Sequence, residues 1–344
     1  MARVTSLLWC AVFAFTGLSA RAGTIYNFVT LNGPGDNAGG TTVNAVSNTG
    51  AIVGFSSNAN ATVLTNFVRN PAGTFSTLNI NNDPLANANG INNGGVVVGT
   101  TGGQAFSLSA GLLTLLPPAS PGNTTSETAF GINDTGVVVG QFADNATGTV
   151  PGFVDASGQF TILNPVANAA VTNAQSINDN GLVTGFYSTD GQHQHGFFYN
   201  TGTHTFQLPA DPVQPNLFLT QFLGINDSGL AVGYWQDNAG SQHGFIYNVN
   251  TQSYTFLDEP NIGTNNGVQI TQITGINDSD RIVGFYVDSN GVQRGFYADP
   301  AVAAPEPWSL SLMGLGLAGI GWRRRELTQM RERRTSPENN RLTV

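Results

Sequence analysis

The chain of 344 residues carries 43 glycines, 16 prolines and no lysine, and only 10% of it is charged, which leaves ample apolar residue for one large core. From Gly23 to Ala304 three arginines (Arg69, Arg281 and Arg294) stand against fifteen aspartates and two glutamates, a net charge of −14 that repels phosphate backbones and excludes nucleic acid as a partner. The single cysteine, Cys10, falls in the leader described next, so the exported chain forms no disulfide and offers neither a thiol nucleophile nor a thiolate metal ligand.

The opening stretch MARVTSLLWCAVFAFTGLSARAG has a basic Arg3, an apolar run from Leu7 to Leu18 and the small-x-small site Ala20-Arg21-Ala22. It reads as a cleaved secretory signal peptide, residues 1–22, too short to be a membrane span and handed to the Sec translocon. An isolated strand, YNFVTL from Tyr26 to Leu31, follows.

Six copies of one pattern come next, aligned on Gly54, Gly99, Gly140, Gly185, Gly233 and Gly284 with spacings of 45, 41, 45, 48 and 51 residues. A period in the forties, rich in glycine, β-branched and aromatic residues, suits a unit of four short strands, whereas helical repeats would need long amphipathic runs. In the copy GINDSGLAVGYW the first strand ends at Ile225, Asn226-Asp227-Ser228-Gly229 reverse the chain, and LAVGYW is the second strand. Third strands follow as NFV, QAFSL, PGFV, HGFFY, HGFIY and RGFY, and fourth strands as FSTL, LTLL, FTIL, FQL and FLD. The sixth copy lacks a fourth strand, and the isolated Tyr26–Leu31 supplies one. The expected fold is therefore all-β, a β-propeller of six four-stranded blades over residues 23–300, closed by the N-terminal strand so that no sheet edge is left between first and last units.

In such blades the Asn-Asp turns share one face of the disc and the variable loops share the other. The turn pairs Asn133-Asp134, Asn178-Asp179, Asn226-Asp227 and Asn277-Asp278 read as repeated turn structure, because one short turn brings too few oxygens together for calcium. The variable loops carry Asp144, Asp190, Asp237 and Asp288 beside Asn and Gly, and their face is the expected ligand face. No cofactor is required, and calcium is the one ion whose ligand types these loops offer, though they lack a distant bidentate Glu. His193 and His195, two apart, would share a strand face, as a metal pair does, but a surface pair is the favoured account of them. Carboxylates close in sequence occur only at Asp258-Glu259 and at Asp278 with Asp280, and no G-x-S-x-G elbow is present, so no catalytic residue is assigned. The ring residues Phe186, Tyr187, Tyr234, Trp235, Phe285 and Tyr286 recur in register and read as packing between blades.

The repeats, with GINDSGLAVGYW followed by HGFIY, resemble the HAF family of bacterial extracellular repeats over roughly Ala45 to Tyr297. The signature His stands before Gly-Phe in two copies, at His195 and His243, and QAF keeps Ala105 and Phe106. The resemblance implies an exported repeat protein with no assigned chemistry.

At the other end APEPWSLSLMGLGLAGIGWRRRE presents Pro305-Glu306-Pro307, an apolar run from Trp308 to Trp322, and Arg323-Arg324-Arg325. A polar breaker, a short span and a positive-inside stop resemble the PEP-CTERM sorting signal, residues 301–325 with a membrane segment at 308–322. The resemblance implies an exosortase that cuts near the Pro-Glu-Pro after a transient stay in the membrane. The chain continues from Glu326 to Val344, a polar arginine-rich tail expected to be disordered and removed with the signal.

These readings lead to an exported, non-catalytic protein of the cell surface or the exopolysaccharide matrix. A carbohydrate-binding or calcium-assisted adhesion propeller, and a polysaccharide hydrolase or lyase, are the alternatives, separated by saturable glycan binding and by turnover.

Overall fold

The computed structural model describes residues 25–35, 38–264 and 267–301; the expected leader, sorting signal, membrane segment and tail lie outside them. Among the described residues, twenty-four strands form six antiparallel four-stranded sheets, the blades of a propeller. From the inside outward, blade one comprises Ala38–Val46, Ile52–Asn58, Leu64–Arg69 and Phe75–Thr77, and blade two Asn87–Ile91, Val97–Thr101, Gln104–Ser109 and Leu112–Leu115. Blade three is built from Thr124–Ile132, Val138–Asp144, Gly152–Ala156 and Gln159–Leu163, and blade four from Val171–Ile177, Leu182–Ser188, His195–Asn200 and Thr205–Gln207. Blade five has Leu217–Ile225, Leu230–Asp237, Gln242–Asn248 and Ser253–Phe256. Its outer strand therefore ends where FLD was expected to begin: Asp258 leaves the ladder and turns to His243.

Blade six takes Thr271–Ile276, Ile282–Val287 and Gln293–Pro300 from the end of the propeller chain and its outer strand, Tyr26–Leu31, from the beginning. The pairing runs from Tyr26 opposite Pro300 to Leu31 opposite Gly295, as the missing fourth strand required. The chain thus enters and leaves the propeller side by side, on the face that carries the Asn-Asp turns.

Each of those turns is closed by its first residue. In blade five the Asn226 N–H donates to the Leu230 carbonyl at 3.0 Å, and the Asn226 Oδ1 accepts from the Leu230 N–H at 2.9 Å. The fourth turn residue needs a left-handed backbone, which Gly229 supplies at φ 80° and Asp280 supplies in blade six at φ 59°, aspartate being among the few side chains that tolerate it.

All six inner strands carry a bulge at the same place, for example between Phe222 and Gly224, so one residue per blade is extra to the ladder. Opposite the bulge lies the glycine that defines the repeat. None of these six glycines has positive φ; they are required by close approach, because a methyl at Gly233 would overlap the Gln221 carbonyl oxygen and come within 3.0 Å of the Phe245 ring. The phenylalanine of every third strand, Phe67, Phe106, Phe153, Phe197, Phe245 and Phe296, is fully buried against that glycine. Packing between blades completes the core: Val53 of blade one joins Ala88, Ile91 and Phe106 of blade two, and the same arrangement recurs around the ring. At about 25 cal/mol per Å² of buried apolar surface, these phenylalanines are each worth about 2 kcal/mol or more to a fold that has no disulfide.

Candidate functional site

The turn face is laced into a closed circle. The backbone N–H of Asp134 donates to Oδ1 of Asp179, that of Asp179 to Asp227, and that of Asp227 to Asp278, each at 2.8 Å. Asp278 N–H then donates to Asn48 Oδ1 at 2.8 Å, Asn48 N–H to Asn93 Oδ1 at 2.7 Å, and Asn93 N–H to Asp134 Oδ1 at 2.8 Å. Just inside this circle Asn92, Asn133, Asn178, Asn226 and Asn277 each donate a side-chain N–H to the backbone carbonyl of the turn in the next blade, at 2.9 to 3.2 Å. The Asn-Asp pairs are thus both turn residues and the clasp between blades. The like charges have a cost: burial first, then Asp134 and Asp227 on either side, raise the Asp179 carboxyl above its ordinary value, while the Asp134 N–H opposes them.

This arrangement separates two substitutions. Asn178→Ala removes a buried side chain that donates to the Asn226 carbonyl and accepts from the Leu182 N–H, and it should cost about 2 kcal/mol in urea unfolding. Asp179→Asn should stay within about 0.5 kcal/mol of the parent, because asparagine already fills this position at Asn48 and Asn93 and relieves the crowding of charge.

The clasp frames one mouth of an axial channel of about 400 Å³. The six bulge residues Asn44, Asn89, Phe130, Gln175, Leu223 and Thr274 all line its wall. Three of them bond to the inner strand of the next blade: Asn44 to the Ala88 carbonyl, Asn89 to the Ala129 carbonyl and Thr274 to the Val43 carbonyl, at 2.7 to 2.9 Å. Phe130 and Leu223 leave apolar surface in the channel instead.

On the opposite face the four loop aspartates order their own loops. Asp144 accepts from Ala146 N–H and Thr147 hydroxyl, Asp237 from Ala239 and Ser241 N–H, and Asp288 from Asn290 and Val292 N–H and from Arg294. Asp190 accepts from Gln192 and His193 N–H and from the His193 ring, bonds that hold its carboxyl well below the usual range. His193 lies outside the third strand, which begins at His195, so the two histidines do not share a strand face: His193 pairs with Asp190 at 2.6 Å and His195 with Asp211 at 2.7 Å. Among the described residues no three His, Cys, Asp or Glu side chains gather as a metal set. Of the recurrent rings, Phe186, Tyr234, Trp235 and Tyr286 are buried, Tyr187 is half-buried, and Phe285 lines the channel.

Two features escaped the reading of the sequence. One is a carboxamide at the same place in three blades, Gln194, Gln242 and Gln293, visible in the sequence as QHGF, QHGF and QRGF. The other is Glu127, buried in the inner strand of blade three where other blades have Thr41, Thr172, Thr220 and Thr271. Its Oε2 accepts from the Ala119 N–H at 2.9 Å and its Oε1 has no partner. Burial pushes this carboxyl up to about 7, helped by Asp155 and opposed by the Ala119 N–H. The folded state therefore holds the proton more tightly than the unfolded chain, whose value is near 4.5. The stabilisation is complete below about pH 4.5 and is lost as pH rises through 7. Thermal melting from pH 4.5 to 8 should show this decline, and Glu127→Thr, which keeps a hydroxyl for Ala119, should flatten it.

Six sheets closed by one strand pair define a six-bladed β-propeller. Residues 303–325, directly beyond it, match the PEP-CTERM protein-sorting motif, the signal of an exported protein recognised by exosortase. No curated protein sequence matches the chain. Among solved structures it is similar to TolB from Acinetobacter baumannii, at 11% identity and a TM-score of 0.49, covering 77% of this chain and 65% of TolB. It is also similar to an oligogalacturonate lyase from Vibrio parahaemolyticus, at 12% identity and a TM-score of 0.43 over 82% of this chain and 97% of that one. A third is the β-propeller domain of the Trilobed protease from Pyrococcus furiosus, at 10% identity and a TM-score of 0.41 over 76% and 96% of the two chains. The chain thus spans less than two thirds of TolB.

Proposed function

We propose that this chain is an exported, non-catalytic propeller that acts at the cell surface or in the extracellular polysaccharide matrix as a structural or binding protein. The observation that carries the reading is the sorting motif at 303–325, which begins three residues after the last propeller strand ends at Pro300. The placement of the acids supports it: the four turn aspartates are engaged in the clasp and the four loop aspartates in their own loops, so their positions follow from the architecture. Tyr26 and Pro300, where the propeller begins and ends, lie on the clasp face, so the opposite loop face is the one proposed for contact with a partner.

The test is turnover. The protein recovered from its host, incubated with neutral and acidic polysaccharides, should leave their size distribution unchanged. Chain shortening abolished by a single Asp→Asn substitution would overturn this reading in favour of a hydrolase or lyase.

A further inference from the structure

Resting on the non-catalytic reading above, we propose that the loop face of blades four to six binds a neutral polysaccharide chain. The two halves of the ring differ on this face. At the start of the third strand blades four, five and six carry Gln194-His195, Gln242-His243 and Gln293-Arg294, whereas the same register holds Leu64-Thr65, Gly103-Gln104 and Val150-Pro151 in blades one to three.

Each glutamine reaches the inner strand of the next blade. Gln194 Oε1 accepts from Gln221 Nε2, Gln242 Oε1 accepts from Gln272 Nε2 at 2.8 Å, and Gln293 Nε2 donates to the Thr42 hydroxyl. Gln194 uses only its oxygen in these bonds and Gln293 only its nitrogen, so the other amide atom of each remains for a ligand hydroxyl.

The neighbouring side chains are oriented, His195 exposed and His243 and Arg294 half-buried. His195 Nδ1 is held by Asp211 and His243 Nδ1 by Asp258, with 46% and 22% of the side chains exposed, and Arg294 bonds Asp288. Holding Nδ1 leaves Nε2 of each imidazole for a second partner. Aromatic rings support both imidazoles: Trp235 stacks on His243 at 4.5 Å, and Tyr187 lies 5.7 Å from His195.

Carboxamides and carboxylate-backed imidazoles are groups that pair with the hydroxyls of sugars. The three sets lie in adjacent blades along an arc, with Gln242 differing in that its Nε2 also donates to Gln236 Oε1 at 2.9 Å and blade six in carrying Arg294, and a polymer of repeating units can engage them together, as linked sites do. His195, His243 and Arg294 are already paired with Asp211, Asp258 and Asp288 in a strongly acidic protein, which disfavours uronate-rich chains and selects neutral ones.

The experiment is affinity electrophoresis of the protein recovered from its host in gels containing amylose, galactomannan or xyloglucan, with alginate as the anionic polymer. At least one neutral polymer should retard it saturably. The His195→Ala/His243→Ala variant should bind that polymer at least tenfold more weakly, while Gln104→Ala, at the corresponding place in blade two, should bind as the parent does. Circular dichroism melting of each variant separates loss of binding from loss of fold. Retardation by alginate alone, by no neutral polymer, or equally in the double variant and the parent overturns the arc. Failure of the underlying reading shows separately, as shortening of the polymer, which retardation does not measure.

Discussion

Deleting Tyr26–Leu31 is expected to be the most damaging change to this protein. The six residues form the outer strand of blade six, pair with Gly295–Pro300 throughout, and bury Leu31 with Val43 and Phe67 of blade one. Phe28 adds a ring contact with Phe296 at 5.2 Å. Without the strand the 295–300 edge is left unpaired and the seam between the last and first blades loses apolar cover. The cost, on the order of 5 kcal/mol, is comparable to the whole stability of many domains. The expected result is a chain that aggregates or melts well below the parent in circular dichroism, through the exposed sheet edge as well as the lost burial. Phe28→Ala keeps the strand and its backbone bonds, and should lower stability by only about 2 kcal/mol in denaturant unfolding. A deletion variant that melts with the parent would show that the ring does not depend on this closure.

Gly233→Ala is the second. The substitution adds one methyl group to a residue whose φ any amino acid could adopt, so backbone propensity alone would make it neutral or stabilising. The new carbon, however, overlaps the Gln221 carbonyl oxygen on the inner strand, and neither the bulged strand nor Phe245 behind the glycine has room to yield. The expected cost is about 3 kcal/mol or more, read as a drop in the urea midpoint with an unchanged slope. Gly95→Ala is the contrast: a methyl there meets nothing within 4 Å, and only its left-handed backbone at φ 75° opposes the change, at about 1 kcal/mol. If the two variants lose stability equally, close approach is not what the repeat glycine serves.

These two positions also show what could be read from the amino acids. Closure was legible because the sixth copy lacks a fourth strand and a strand of the right length stands alone at Tyr26–Leu31. The glycines and phenylalanines were legible as a register, but their contact was not, because a one-residue bulge leaves no mark in a hydrophobic pattern. The Asn-Asp pairs were read as turns, which is the local half of their role. Their second half, the bond from each blade to the next, depends on the ring being closed at six, and no period or propensity encodes that geometry. The spacing of His193 and His195 assumed a strand already formed at 193; the Asp190 loop holds His193 instead. Glu127 could have been found by carrying the alignment six residues upstream of each turn asparagine, where Thr41, Ala86, Thr172, Thr220 and Thr271 stand in its place.

The most direct test of the central claim, an exported propeller separated from its sorting signal, is the intact mass of the protein recovered from the host envelope and the culture medium. The account predicts a mass that begins after residue 22 and ends near Pro305, found in the medium or at the outer surface. A mass that still includes the tail through Val344, confined to the inner membrane, would contradict it.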